Sequence, residues 1–187
     1  MKNAVQRVAV DVTFLRMDRP VLGMVPGLPS DATVVTVPRC SPAFYRYLYD
    51  TVGQDYCWWL RRTLSLAELQ AVLDLTGTEI HVLMVKGEPA GFYELDRNNA
   101  PLVNLAYFGL LPWALGRGLG YALLHHAIFT AWQGHCAALT VNTCTADHPR
   151  ALPNYIKAGF RKLRTVSEEW PVPASLGLRI PPHLLAG

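Results

Sequence analysis

The stretch from Glu79 to Pro112 constrains the fold more than any other. Within "EIHVLMVKGEPAGFYELD" the apolar pattern reads as two strands joined by a tight turn at "KGEP", and "PLVNLAYFGLLP" reads as a third after the polar turn "DRNNA". Turns this short leave no room for crossover helices, so the three runs must pair as an antiparallel meander. Whatever else the chain does, it is built on a sheet.

Helical signals stand on both sides of the meander. "SPAFYRYLYDTVG" offers Ser41 as a cap, Pro42 at the first helical position, an apolar face through Phe44, Tyr47 and Leu48, and a stop at Gly53. "SLAELQAVLDL" carries the capping-box pattern Ser65 and Glu68, with Leu66, Leu69, Val72 and Leu73 on one face. After Pro112 a helix is expected from near Arg117 to Trp132, ended by Gly134, then a strand in "CAALTVNTC". "DHPRALPNYIKAGF" reads as a helix capped by Asp147, with Pro149 in its first turn, Pro153 removing one hydrogen bond, and Gly159 at its end. Val8 to Phe14 alternates as a first strand, the Pro- and Gly-rich run at 17–31 is a loop, "ATVVTVPR" is a short second strand, and a last strand begins near Phe160. The tail from Pro171 is assigned nothing beyond short edge strands.

At 187 residues, with 51% apolar and 17% charged residues, the chain suits one well-buried domain. A net charge of +3 spread over the chain, with local clusters only at Arg61, Arg62 and at Arg161, Lys162, Arg164, argues against nucleic acid. No apolar run reaches membrane-spanning length, and the first twenty residues lack a signal-peptide pattern, so no membrane partner is expected and a cytoplasmic location is. Cys40, Cys57, Cys136 and Cys144 show no metal-ligand spacing, and the adjacent His125 and His126 point about 100 degrees apart on a helix, so no metal is expected.

Three glycines, Gly116, Gly118 and Gly120, precede the helix after Pro112. Helix-start N–H groups lack intrahelical partners, and glycine lets an anion approach them, so the stretch suits a pyrophosphate, with Arg117 adding a charge. A dinucleotide GxGxxG fails at Tyr121 or at Leu123, and neither a P-loop Gly-Lys-Ser/Thr nor a GxSxG elbow occurs. A turn that merely lets strand and helix pack closely stays open at this point.

A second motif resolves the choice. Leu110, Leu111 and Pro112, then Gly118 and Gly120, and downstream Ala151, Tyr155, Gly159 and Phe160, resemble the pattern of the GNAT superfamily of acetyl-CoA-dependent N-acetyltransferases. The resemblance spans 79–160 and implies one GNAT-like α+β domain over 1–187: a mostly antiparallel sheet of six to seven strands flanked by about four helices. Residues 1–78 would form the acceptor side and 79–160 the acetyl-CoA-binding core. It implies acetyl-CoA contacts from Phe108, Gly109, Leu110 and Leu111, from Gly116, Arg117, Gly118, Leu119 and Gly120 mainly through backbone, and from His148, where Asn is usual in the family. Phe108 to Leu110 would supply oxyanion donors on an irregular strand that Gly109 permits, and Leu115 stands where Gln or Arg is usual, acting through its N–H.

Tyr155 matches the family's general acid for the departing thiolate. Asn104 stands where histone-acetylating members carry a glutamate base. Glu94, on the preceding strand, is the nearest carboxylate that could face the cleft; it is either the base for the acceptor amine or a solvated strand end, and a water chain is the other route for the proton. The acceptor is expected to be a small-molecule or peptide amine, and a homodimer is compatible. The aromatic run Tyr45 to Trp59 would mostly pack the helices, or else wall an acceptor pocket; Glu168, Glu169 and Trp170 would attract an amine or form an exposed strand end. A domain that binds acyl-CoA without turnover is the alternative, and a protein holding another phosphate the third.

Overall fold

A computed structural model describes residues 4–21 and 26–186. Part of the loop expected at 17–31 therefore lies outside the described residues. In chain order the elements are β1 (Val5–Met17), β2 (Ala32–Thr36), α1 (Pro42–Gly53), α2 (Leu66–Leu73), β3 (Thr78–Val85), β4 (Glu88–Asp96), β5 (Leu102–Leu110), α3 (Leu119–Trp132), β6 (Ala138–Cys144), α4 (Ala151–Lys157) and β7 (Arg161–Pro173). Short 3-10 turns cover Leu60–Thr63, Pro112–Ala114, Ala174–Leu176 and Pro182–Leu184.

The seven strands form one sheet in the order β2-β3-β4-β5-β6-β1-β7. Every pairing is antiparallel except β5 with β6. The meander is closed at its first turn by Lys86 and Gly87, both left-handed at φ 52° and 84°, the backbone of a two-residue hairpin whose twist matches its strands. β1 lies far from its sequence neighbours, between β6 and β7, pairing Val12 with both Cys144 and Val166.

Alternation along the central strands sorts the core into two layers. Ile80, Val82 and Phe92 face α1 and α2, where Tyr45, Leu48, Tyr49, Val52 and Leu69 cover them. Leu83, Tyr93 and Leu95 face the other way, under Leu119, Leu123 and Ala127 of α3 and Tyr155 of α4.

Both capping predictions on the first helices match the structure. Ser41 accepts the Phe44 N–H, and Ser65 and Glu68 exchange both bonds of a capping box. The faces differ from those read by spacing: α1 buries Tyr45, Leu48, Tyr49 and Val52 while Tyr47 is exposed, and α2 buries Leu69 while Leu66 is exposed. The helix after Pro112 starts at Leu119, because left-handed Gly118 (φ 76°) is its cap.

α4 starts at Ala151, so Asp147 caps nothing and Pro149 lies before the helix. Asp147 instead accepts from the Thr143 hydroxyl (2.7 Å) and the Cys144 N–H (2.9 Å). Pro153 is the third helical residue, where no intrahelical N–H bond exists to lose. The C-terminus of α4 is a Schellman motif: Phe160 N–H donates to the Tyr155 carbonyl and Gly159 N–H to that of Ile156, with Gly159 left-handed at φ 104°.

Candidate active site

The cleft follows from a failure of pairing. β5 and β6 run in register from Leu102 opposite Ala138 to Leu105 opposite Val141, and then part. At the point of separation β5 carries a bulge: Glu94 is paired with Tyr107 and Leu95 with Leu105, so Ala106 is the extra residue. Beyond it alternate β5 N–H groups turn away from β4, toward the side that β6 has vacated.

The gap opens a cleft of about 1270 Å³. Its walls come from both faces of the sheet. On one face are Phe108, Tyr121, Asn154 and Tyr155 with the glycine turn; on the other are Tyr49, Trp58, Arg61 and Tyr107. The cleft passes through the sheet. Phe14 of β1 and Trp170 of β7 line it as well, so the first and last strands in chain order also contribute to its wall.

Gly109 has a packing role beyond any irregular backbone. A Cβ there would lie 2.4 Å from Val52 Cγ1, so α1 can approach β5 only over a glycine. Gly53 does the same for Trp58, whose Cβ would lie 2.3 Å from an added methyl. These two glycines seat the indole in the cleft wall.

At the mouth, Gly116 and Gly118 are left-handed (φ 75° and 76°), and a Cβ on either would meet nothing within 4 Å. Left-handed residues on both sides of Arg117 give a concave run of N–H groups ahead of a helix of fourteen residues. The N–H groups of Gly116, Arg117 and Gly118 donate to no other backbone group among the bonds outside regular elements in the described residues. Leu115 differs: its N–H, expected to serve a phosphate, donates at 3.3 Å to the Pro112 carbonyl.

Of the residues singled out in the sequence, Phe108, Gly109, Leu110, Gly116, Gly118, Gly120, His148 and Tyr155 line this cleft. Leu111 is buried beneath α1, and Leu119 is buried in the α3 layer. Arg117 lies over the Trp113 ring, 5.3 Å from its centroid. The His148 Nδ1 accepts the Arg150 N–H at 3.1 Å, which fixes the ring at the start of α4.

Tyr155 is 5% exposed, set edge-on against Phe108 and Phe160. Burial, with a smaller contribution from Asp147, pushes its phenol far above the ordinary tyrosine value. Its hydroxyl makes no hydrogen bond among the described residues.

Glu94 does not reach the cleft. It is 1% exposed, with one carboxylate oxygen taking the Tyr45 hydroxyl (2.6 Å) and the other the Arg61 guanidinium (2.7 Å). Burial raises its pKa, opposed first by Arg61 and then by Tyr45. It is therefore not a solvated strand end, and Arg61 stands between it and the cavity. Asn104 lines the cleft and accepts from the Thr140 hydroxyl at 3.1 Å.

Several cleft residues carried no signal as site residues. Arg61 was legible only as one of a charge pair, and Phe14 only as part of a strand remote in sequence. Trp170 and Glu168 meet in the wall, the indole donating to the carboxylate at 2.8 Å, whereas Glu169 turns outward to Arg7. In the aromatic run, Tyr45 packs α1 on the sheet, Tyr49 does so and also lines the cleft, and Tyr56, Trp58 and Trp59 line the cleft.

The sheet, its wedge and the glycine turn define a mixed α/β fold with a cleft through the sheet. A model of the Acetyltransferase (GNAT) family matches residues 42–160, more than half of the sequence, and the chain belongs to that family. Among solved structures it is similar to a GCN5-related N-acetyltransferase from Kribbella flavida, at 17% identity and a TM-score of 0.61 over 93% of this chain and 63% of that one. A GCN5-related N-acetyltransferase from Sphaerobacter thermophilus matches at 17% identity and a TM-score of 0.64, covering 90% of this chain and 53% of that one. A tandem GNAT protein from the clavulanic acid biosynthesis pathway matches at 15% identity and a TM-score of 0.58, covering 88% and 55%. The chain thus spans between half and two thirds of these relatives' lengths. Among the described residues no helix is long and apolar enough to cross a membrane.

Proposed function

We propose that the chain transfers an acetyl group from acetyl-CoA to a primary amine of a small molecule or peptide, by direct attack while both are bound. The observation that carries this reading is the wedge between β5 and β6, with Tyr155 on one side and the left-handed glycines at its mouth. Those features fit the co-substrate: the N–H run at Gly116 to Gly120 suits its pyrophosphate, and the narrow gap beside β5 suits an extended arm. Acetyl-CoA supplies an activated thioester.

The rest falls to this chain's residues. N–H groups of Phe108 to Leu110 that point into the gap are donors already in place for negative charge developing on the acyl oxygen. Tyr155, protonated at neutral pH as any phenol is and raised further by burial, holds a proton that it can give to the departing sulfur. His148 and Arg117 flank the co-substrate's route. Glu94, behind Arg61, is a positioning residue rather than the base, and the amine loses its proton to water in the cleft.

The test is release of free CoA thiol from acetyl-CoA in the presence of an amine panel. Acetyl-CoA should be consumed only when an amine is added, with the acetylated amine as product. Binding of acetyl-CoA with no amine-dependent thiol release would leave the non-catalytic alternative in its place.

A further inference from the structure

On the acceptor face of the cleft, one cation is held with hydrogen-bond donors to spare. Three arginines meet at the 3-10 turn Leu60–Thr63. Arg46 of α1 donates to the carbonyls of Arg62 and Leu64. Arg62 reaches back to Asp50, donating to its carbonyl at 2.8 Å and pairing with its carboxylate at 3.2 Å. These two fasten the turn to α1.

Arg61 is used differently. Its N–H donates to the Tyr49 hydroxyl at 3.3 Å, and its guanidinium runs inward to Glu94 at 2.7 Å, with its carbon 5.4 Å from the centre of the Tyr107 ring. Nη2 is taken by Glu94 and Nε is buried without a partner, so Nη1, which makes no hydrogen bond among the described residues, is the nitrogen left for the cleft that the residue lines; the Tyr45 and Tyr107 hydroxyls lie beside the guanidinium. A guanidinium carries five donors in a planar fork matched to carboxylates. A buried ion pair adds little net stability over apolar packing, so stability alone does not account for this one. What it provides is a rigid cation at the cleft wall, anchored from behind. The other carboxylates that line the cleft are already engaged, Asp147 by Thr143, Cys144 and Trp58, and Glu168 by Trp170.

We propose that Arg61 binds a carboxylate of the acceptor, so that the acceptor is an amino-acid-like molecule bearing an anionic group close to its amine. This rests on the acetyltransferase reading. The spacing follows from the strand: Tyr107, beneath Arg61, and Phe108, against Tyr155, are consecutive residues on opposite faces of β5. An acceptor whose carboxylate stays with Arg61 needs only a few bonds to bring its amine into the gap.

The experiment compares α-amino acids with their carboxamides as acceptors, reading kcat/KM by thiol release from acetyl-CoA. The native chain should favour the acid over its amide by at least about tenfold, as expected for charge-assisted hydrogen bonds, even though the amide holds more of its amine as free base at neutral pH. The double variant Arg61→Gln with Glu94→Gln leaves no unpaired buried charge, and its acid-to-amide ratio should fall toward one. Arg61→Lys, which keeps the charge but loses the fork, should also lower the ratio and serves if the double variant does not fold. Amides used as well as acids by the native chain, or a ratio unmoved in the variants, overturns the inference alone. No thiol release with any amine overturns the acetyltransferase reading and the inference together.

Discussion

Tyr155 illustrates how one residue's chemistry depends on its surroundings. A phenol with an ordinary pKa near 10 is already protonated at neutral pH. Burial against Phe108 and Phe160 raises it further, so ionisation of Tyr155 sets no limb of a pH profile below pH 10. Replacing it with Phe keeps the packing and removes the proton. The variant should keep its KM for acetyl-CoA and lose turnover by roughly a hundredfold, the usual scale of general acid catalysis. Steady-state rates from pH 6 to 9 check this, and a turnover unchanged across that range removes Tyr155 from the mechanism. The tyrosine was legible because it lies four residues before Gly159, in a helix end whose Schellman bonds hold it at the cleft. Arg61 was not, because its partner Glu94 is 33 residues away and no local pattern links them.

At the level of elements, the glycine turn at the mouth of α3 permits a stability test free of clashes within the protein. An alanine at Gly118 would touch no protein atom within 4 Å, so its effect on the stability of the free protein is that of forcing a Cβ residue to φ 76°. The expected cost is about 1–2 kcal/mol of stability, read by urea unfolding, with a raised KM for acetyl-CoA as the N–H run relaxes. Neither change would mean that the left-handed backbone is not what the site uses. Elements governed by local chemistry were readable in advance: the capping box at Ser65 and Glu68, the Lys86-Gly87 turn, the three-strand meander. Elements set by distant partners were not. Nothing near Val5–Met17 states that this strand inserts between β6 and β7, and nothing near Ala106 announces the bulge that accompanies the opening of the gap.

Over the whole molecule, the pH dependence of stability has a defined sign. His81, His125 and His126 all have pKa values lowered from 6.5, each by burial first. His81, 5% exposed between Thr36 and Glu79, is the most enclosed of the three. A base whose folded pKa is depressed binds fewer protons folded than unfolded, so its neutral form's contribution is present above pH 6.5 and is lost as pH falls below it. Glu94, raised by burial, acts in the opposite sense, which is why the comparison needs a variant. The drop in melting temperature between pH 7 and pH 5.5 should be shallower for His81→Gln than for the native chain; an equal or steeper drop contradicts the assignment. The account as a whole rests on the through-sheet cleft being a place for acetyl-CoA, and calorimetric titration of the native chain with acetyl-CoA tests that directly. A single saturable site, weakened by Gly118→Ala, is the predicted result; a titration without heat of binding, accompanied by an unchanged melting temperature at saturating acetyl-CoA, would contradict it.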